Sequence, residues 1–219
     1  GLSERVRRLA AREGPGEESE AATESLEHVH RTFGLLEREV FATRLVPVET
    51  VFARFRRLVR DLSLELGKEV DVVVEGGATT FDKSIVDELA EPLVHLVRNA
   101  VDHGIESPAE REAKGKPRRA TLTLAARQAS SLAEVAVLDD GAGIDLERVR
   151  RRAAEMGIAT DELDEGAVRD LVFLPAFSTR QGVSAISGRG VGLDVVKASV
   201  ERLGGSVQLT QYLPYIIGA

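Results

Sequence analysis

Residues 120–140, ATLTLAARQASSLAEVAVLDD, decide the fold class. Two runs rich in β-branched and aliphatic residues, ATLTLAAR (120–127) and AEVAVLDD (133–140), flank the short polar turn QASS (128–131) and read as strands. VDVVVE (70–75) and GSVQLTQ (205–211) carry the same signature. Between them lie helical patterns at 84–103, 145–156, 164–173 and 191–203. Helices interleaved with strands predict an α+β fold, a two-layer α/β sandwich, and argue against a helical bundle or an all-β barrel.

Upstream of the first strand the texture is helical. Val48, Val51, Phe52, Phe55, Leu58, Val59, Leu62 and Leu66 fall on one stripe, and Gly67 stops the helix as a C-terminal cap would. Arg54, Arg56, Arg57 and Arg60 lie mostly off that stripe and read as its wet face. Pro47 separates this helix from an earlier pattern formed by Leu26, Val29, Phe33, Leu36, Val40 and Phe41. Residues 2–12 suit a short helix, and EGPGEESE (13–20) a solvated linker. The expected organisation is a remnant of a helical hairpin over 1–47, followed by a larger domain over 48–219.

Composition narrows the class of function. The chain has 219 residues, 43% apolar and 30% charged, as globular domains do. A net charge of −7 argues against nucleic acid as the partner. With no cysteine there is neither a disulfide framework nor a thiolate metal site. Aromatic residues make up 4% and tryptophan is absent, so stacking platforms are not expected. No apolar run approaches the roughly 18 residues that span a bilayer, and the first residues are charged. The expectation is a soluble protein with no secretion signal and no membrane insertion.

Three segments carry candidate chemistry. In EPLVHLVRNAVDHG (91–104), Leu93, Val94, Leu96, Val97, Ala100 and Val101 make an apolar stripe. His95, Asn99, Asp102 and His103 then share the other side, at i, i+4, i+7 and i+8. Imidazoles, a carboxylate and a carboxamide there suit a metal–phosphate group, since the carboxamide oxygen is a hard ligand. In VLDDGAGID (137–145) an apolar strand ends in two aspartates, followed by glycines that admit a ligand close to the backbone. In SGRGVGLDVVK (187–197) Gly188, Gly190 and Gly192 precede a helix whose free N–H groups could meet a phosphate. Each alone also fits an ordinary turn or surface face. Their order along the chain is far more specific.

Taken together, RLVPVETVFARFRRLVRDLSLELGK (44–68), EPLVHLVRNAVDHGIESPAER (91–111), DDGAGID (139–145), PAFST (175–179) and SGRGVGLDVVK (187–197) resemble the ATP-binding domains of the GHKL superfamily. Within it the resemblance is to the CheA-type chemotaxis histidine kinases, and it covers roughly residues 26–210. It implies a GHKL-type sandwich that binds ATP and Mg2+ and transfers the γ-phosphoryl group to a histidine on a separate phosphotransfer domain. Asn99 would coordinate magnesium, with Asp102 beside it in the nucleotide site and His95 and His103 near the terminal phosphate. Asp140 would bind the adenine amino group, with Gly143 easing the approach. Phe177, Ser178 and Thr179 would belong to the lid, while Gly188, Arg189, Gly190 and Gly192 would wrap the phosphates. A receptor-coupling protein, a response regulator and a weak homodimer through the first helices are the implied partners. The implied location is cytoplasmic, at receptor arrays.

The chain departs from the pattern after residue 211. Gln211 runs directly into YLPYIIGA, which predicts that the family's third glycine box and its strand are absent. His28 and His30 lack the context of a phosphoacceptor and read as surface residues. Two other readings remain open at this point. A GHKL ATPase of the chaperone or topoisomerase sort would place a glutamate where His95 stands. A non-catalytic signalling scaffold would carry a degenerate nucleotide site.

Overall fold

The structure is a computed structural model that describes residues 25, 27–34, 44–129, 132–175, 177, 192–209 and 216–218. The chain divides into two units, Gly1–Leu45 and Val46–Ala219. In the first, residues 27–34 are helical, with Val29 and Phe33 exposed one turn apart. The rest of the expected hairpin, including Leu26, Leu36, Val40 and Phe41, lies outside the described residues.

The second unit is the sandwich. Its elements run β1 (Leu45–Pro47), α1 (Glu49–Leu66), β2 (Val70–Glu75), β3 (Thr80–Asp82), α2 (Lys83–Asn99), a π turn (Ala100–Gly104) and α3 (Pro108–Ala113). They continue with β4 (Ala120–Ala129), β5 (Leu132–Asp139), α4 (Leu146–Glu155), α5 (Glu165–Asp170), a 3-10 turn (Leu171–Phe173), α6 (Leu193–Arg202), β6 (Ser206–Gln208) and β7 (Ile216–Gly218). The main sheet has the order β2-β4-β5-β7-β6. β2 and β4 are parallel, and the other pairs are antiparallel. β7 corrects the sequence expectation: a strand does follow residue 211, and it lies between β5 and β6. β1 and β3 form a separate two-stranded ladder.

Alternation sets which face of the sheet is covered. Leu122, Leu124 and Ala126 of β4, and Ala133, Val135 and Val137 of β5, are buried in one core with Val51, Phe52, Phe55, Val59 and Leu62 of α1. α2 contributes Val86, Leu89, Leu93, Leu96 and Val97, and α6 contributes Val196 and Val200. Each fully buried Leu or Phe there adds roughly 1.5–3 kcal/mol relative to exposure. α1 ends at Gly67, whose φ of 63° is the left-handed cap that glycine adopts without strain. α2 starts at Asp82, whose carboxylate accepts from the backbone N–H of Ser84 at 2.8 Å. α3, absent from the sequence reading, opens with a capping box between Ser107 and Glu110 and carries Pro108 in its first turn. A second cluster joins Val149 and Ala153 of α4, Val168 of α5 and Phe177.

Candidate nucleotide site

The end of α2 meets the end of β5, and the candidate site is built there. His95 and Asn99 sit one turn apart on α2, both half-buried. Burial lowers the His95 pKa from its ordinary 6.5, Arg98 and then His103 add to the lowering, and the carboxylate of Asp194 on α6 opposes it. The imidazole is therefore neutral at pH 7 and retains both a donor and an acceptor nitrogen.

Past Asn99 the helix widens. The backbone N–H of Ile105 donates to the carbonyl of Ala100 at 2.8 Å, a five-residue closure in place of the usual four. Asp102 and His103 lie on this π turn and not on the α-helix itself, with His103 still near enough to His95 to add to the lowering of its pKa. Asp102 and His103 also face each other, with Oδ2 and Nε2 3.5 Å apart. The turn has a cause far along the chain. Lys68, just after α1, donates from Nζ to the carbonyls of Val101 (2.7 Å), Asp102 (2.8 Å) and Ile105 (2.7 Å). A cation at a helix C-terminus satisfies carbonyls that have no partner within the helix.

Gly104 then touches the glycine turn after β5. Its carbonyl accepts from the backbone N–H of Ala142 at 2.8 Å. Any side chain on Gly141 would overlap that carbonyl, and one on Gly104 would press on the carboxylate of Asp139. Gly143 has φ of 73° and open space around it. Thus the structure brings the residues around Asn99 and those around Gly143 together through a backbone contact.

The two aspartates behave differently. Asp140, singled out from the sequence for base recognition, has both carboxylate oxygens engaged. Oδ1 accepts from the backbone N–H of Thr121 (3.1 Å) and Oδ2 from Arg111 Nη2 (3.0 Å). Asp139 lies on the phase of buried Ala133, Val135 and Val137, so it projects to the helix-covered side of the sheet. Its Oδ1 accepts from the backbone N–H of Gly141 at 3.0 Å, and its Oδ2 accepts nothing among the described residues. Local burial raises the Asp139 pKa above its ordinary 3.8, against the lowering by that N–H, and the neighbouring charges of Asp140 and Glu106 raise it further. The residue nonetheless keeps exposed surface, as a group open to a ligand would. Sequence reasoning missed Asp139, Arg111 and Lys68. The alternation of β5 was the signal available for the first.

Gly192 is the N-cap of α6, and the space where its side chain would be is taken by the Asp194 carboxylate. Phe177 is buried in the second cluster, with Val149, Ala153 and Val168. Ser178, Thr179, Gly188, Arg189 and Gly190 lie outside the described residues. Among the described residues no group of three or more His, Asp or Glu side chains is arranged to hold a metal ion by itself, and no helix is long and apolar enough to cross a membrane.

Comparison with known proteins agrees with this architecture. Residues 88–213 match the family of histidine kinase-, DNA gyrase B- and HSP90-like ATPases. The chain is 44% identical over 191 residues to chemotaxis protein CheA of Bacillus subtilis, covering 85% of this chain and 28% of that protein. It is 44% identical over 206 residues to CheA of Halobacterium salinarum (92% and 31%) and 46% identical over 187 residues to CheA of Treponema pallidum (84% and 23%). It therefore spans under a third of the length of these relatives. With its helices over one face of a mixed sheet and the end of α2 set against a glycine turn, the chain belongs to the histidine kinase-, DNA gyrase B- and HSP90-like ATPase family, among its CheA-type members.

Proposed function

We propose that this chain is the ATP-binding catalytic core of a CheA-like histidine kinase, with residues 48–219 as the catalytic domain and residues 1–47 as part of a dimerising segment. The observation that carries this reading is Asp139. It is a carboxylate on the covered side of the sheet, fixed through one oxygen, beside a turn whose glycines leave room for a flat base. Its second oxygen suits the exocyclic amine of adenine. Asp140, held by Arg111, then supports the loop, and Gly143 keeps the approach open.

Asn99 suits magnesium because that ion takes one or two protein oxygens and completes its shell with phosphate and water. Bound magnesium would neutralise charge on the phosphates during transfer. His95 stands one turn before Asn99. As a neutral imidazole it orients the incoming histidine or donates to a γ-phosphoryl oxygen, with His103 and Asp102 at the next turn. In the reaction the bond from the γ-phosphorus to the bridging oxygen of ADP breaks, and a bond to the acceptor imidazole nitrogen forms. Gly188, Arg189, Gly190 and Gly192 would hold the phosphates. Phe177 would anchor a lid that includes Ser178 and Thr179. The receptor-coupling protein and response regulator named with the family would be partners of the whole kinase at receptor arrays in the cytoplasm.

The test is incubation with γ-labelled ATP, magnesium and a CheA phosphotransfer domain. Label on that domain supports the kinase. Free phosphate alone would make the chain an ATPase, and no turnover beside intact ATP binding would make it a scaffold.

A further inference from the structure

Arg111 is the largest fully buried side chain among the described residues, 1% exposed. A guanidinium survives burial only where its donors are met, and here the partners are specific. Nε donates to the carbonyl of Pro117 (2.7 Å). Nη1 donates to Glu106 Oε2 (3.3 Å) and the carbonyl of Asp140 (3.2 Å), and Nη2 to Asp140 Oδ2 (3.0 Å). Lys116 works beside it, donating from Nζ to Glu106 Oε1 (3.0 Å) and to the carbonyls of Asp140 (3.1 Å) and Gly141 (2.7 Å). Glu106, 8% exposed, also receives Lys114 at 3.2 Å. Burial raises its carboxyl, but the bonds from Lys116, from its own backbone N–H and from Lys114 outweigh this and bring it to about 2.

Two cations from residues 106–117 thus hold the carbonyls of Asp140 and Gly141, and Arg111 also neutralises the Asp140 carboxylate. Asp139 is one peptide further back. Released from Arg111, Asp140 would place a second negative group beside Asp139 and free the turn to change its aim. We infer that Arg111, with Lys116 and Glu106, positions the glycine turn for nucleobase selection, so that Asp139 alone meets the exocyclic amine. This inference rests on the nucleotide reading above. It assigns residues 106–117 a part in choosing the base, with no contact to the nucleotide required.

The test compares the affinities of ADP and IDP, which share phosphates and sugar but differ at the amine that Asp139 would accept. The wild-type chain should prefer ADP by roughly 10- to 100-fold, the scale of one hydrogen bond to a charged group. Arg111→Met should bring the ratio down by about tenfold, and Lys116→Met, at a partly exposed side chain, by about threefold. IDP affinity should move by less than about threefold in both, because the phosphate contacts are untouched. A merely structural role would weaken ADP and IDP in parallel, and that result would overturn the inference, as would an unchanged ratio. Should Arg111→Met fail to fold, the ratio in Lys116→Met decides. No ADP preference in the wild-type chain would instead refute the Asp139 reading itself.

Discussion

The carbonyl oxygen of Gly104 accepts a hydrogen bond from the backbone N–H of Ala142 at 2.8 Å, and a Cβ on Gly141 would stand 2.1 Å from that same oxygen. The contact joins the end of the α2 region to the turn after β5, and no rotamer change can relieve a clash of backbone with Cβ.

Gly141→Ala should therefore part the two segments. Overpacking of this kind costs about 1–3 kcal/mol, enough to lower the melting temperature by several degrees. ADP affinity should fall by more than about tenfold. Gly143→Ala is the control. Its φ of 73° strains alanine by about 1 kcal/mol, but no atom is struck, so its effect should be smaller. Equal melting curves for wild type and Gly141→Ala would contradict the close approach.

Asp139→Asn should separate stability from binding. Burial pushes the Asp139 carboxyl up, so the folded state disfavours its charge. The amide oxygen can still accept from Gly141, and the unliganded variant should melt at a higher temperature at pH 7. ADP affinity should drop roughly 10- to 100-fold. In the wild type this group adds stability as pH falls through its raised folded pKa, and ADP binding weakens over that interval. A lower melting temperature in the variant would count against a penalised carboxylate.

Glu106 has the opposite sign. Its folded pKa is about 2 against an ordinary 4.5, so its contribution is complete above about pH 5 and disappears as pH falls from 4.5 towards 2. Glu106→Gln should cost about 3 kcal/mol at pH 7 by leaving Arg111 and Lys116 short of a countercharge. Denaturant titrations should show that gap closing by about pH 2. A gap independent of pH would mean that packing, not charge, sets the loss.

Lys68→Met should loosen the π turn. Three carbonyls lose a charged donor, and with non-additive contributions the loss should be about 2–4 kcal/mol. Hydrogen exchange at the Ile105 amide, which closes the turn onto Ala100, should quicken more than exchange within β4. Lys68→Arg should recover part of the protection. Uniform acceleration across both elements would argue for global destabilisation alone.

His95→Gln should retain ADP and ATP binding within about threefold and reduce phosphotransfer by about 10²-fold, the scale of losing one positioned proton-transfer or electrostatic group. With the wild-type pKa lowered from 6.5, transfer should stay level through neutral pH and decline only below that value. Normal single-turnover rates in the variant would return His95 to an ordinary helix residue.

Much of the fold was readable because burial follows simple periods. Alternating Val70, Val72 and Val74 mark β2 over the residues expected, and the stripe from Val51 to Leu62 marks α1. His95 and Asn99 were found from the polar face of α2. For the base contact the sequence pointed to Asp140, a carboxylate at a strand end before two glycines. Counting by twos from Val135 and Val137 leads to Asp139, the residue proposed above for that contact. Other features had no local signal. Arg111 sits in a charged run that resembles any wet surface, and its burial depends on Glu106, Pro117 and Asp140. The π turn has an α-helical sequence pattern and takes its shape from Lys68. β7 is a three-residue strand after Pro214, too short for alternation to declare itself.

That strand also bears on how quickly the fold can form. Among the described residues β6 joins the sheet through β7, which pairs Val135 with Ile217 on one side and Val207 with Ile217 on the other. Closing a ladder between such distant positions demands a large loop in the chain before any contact rewards it, so topology of this kind slows the rate. The β2–β4–β5 portion can assemble first around α1 and α2, leaving α6, β6 and β7 as the late-docking edge. Because Gly192 and Asp194 lie at the start of α6, the side of the candidate site formed by α6 would mature after the side formed by the end of β5.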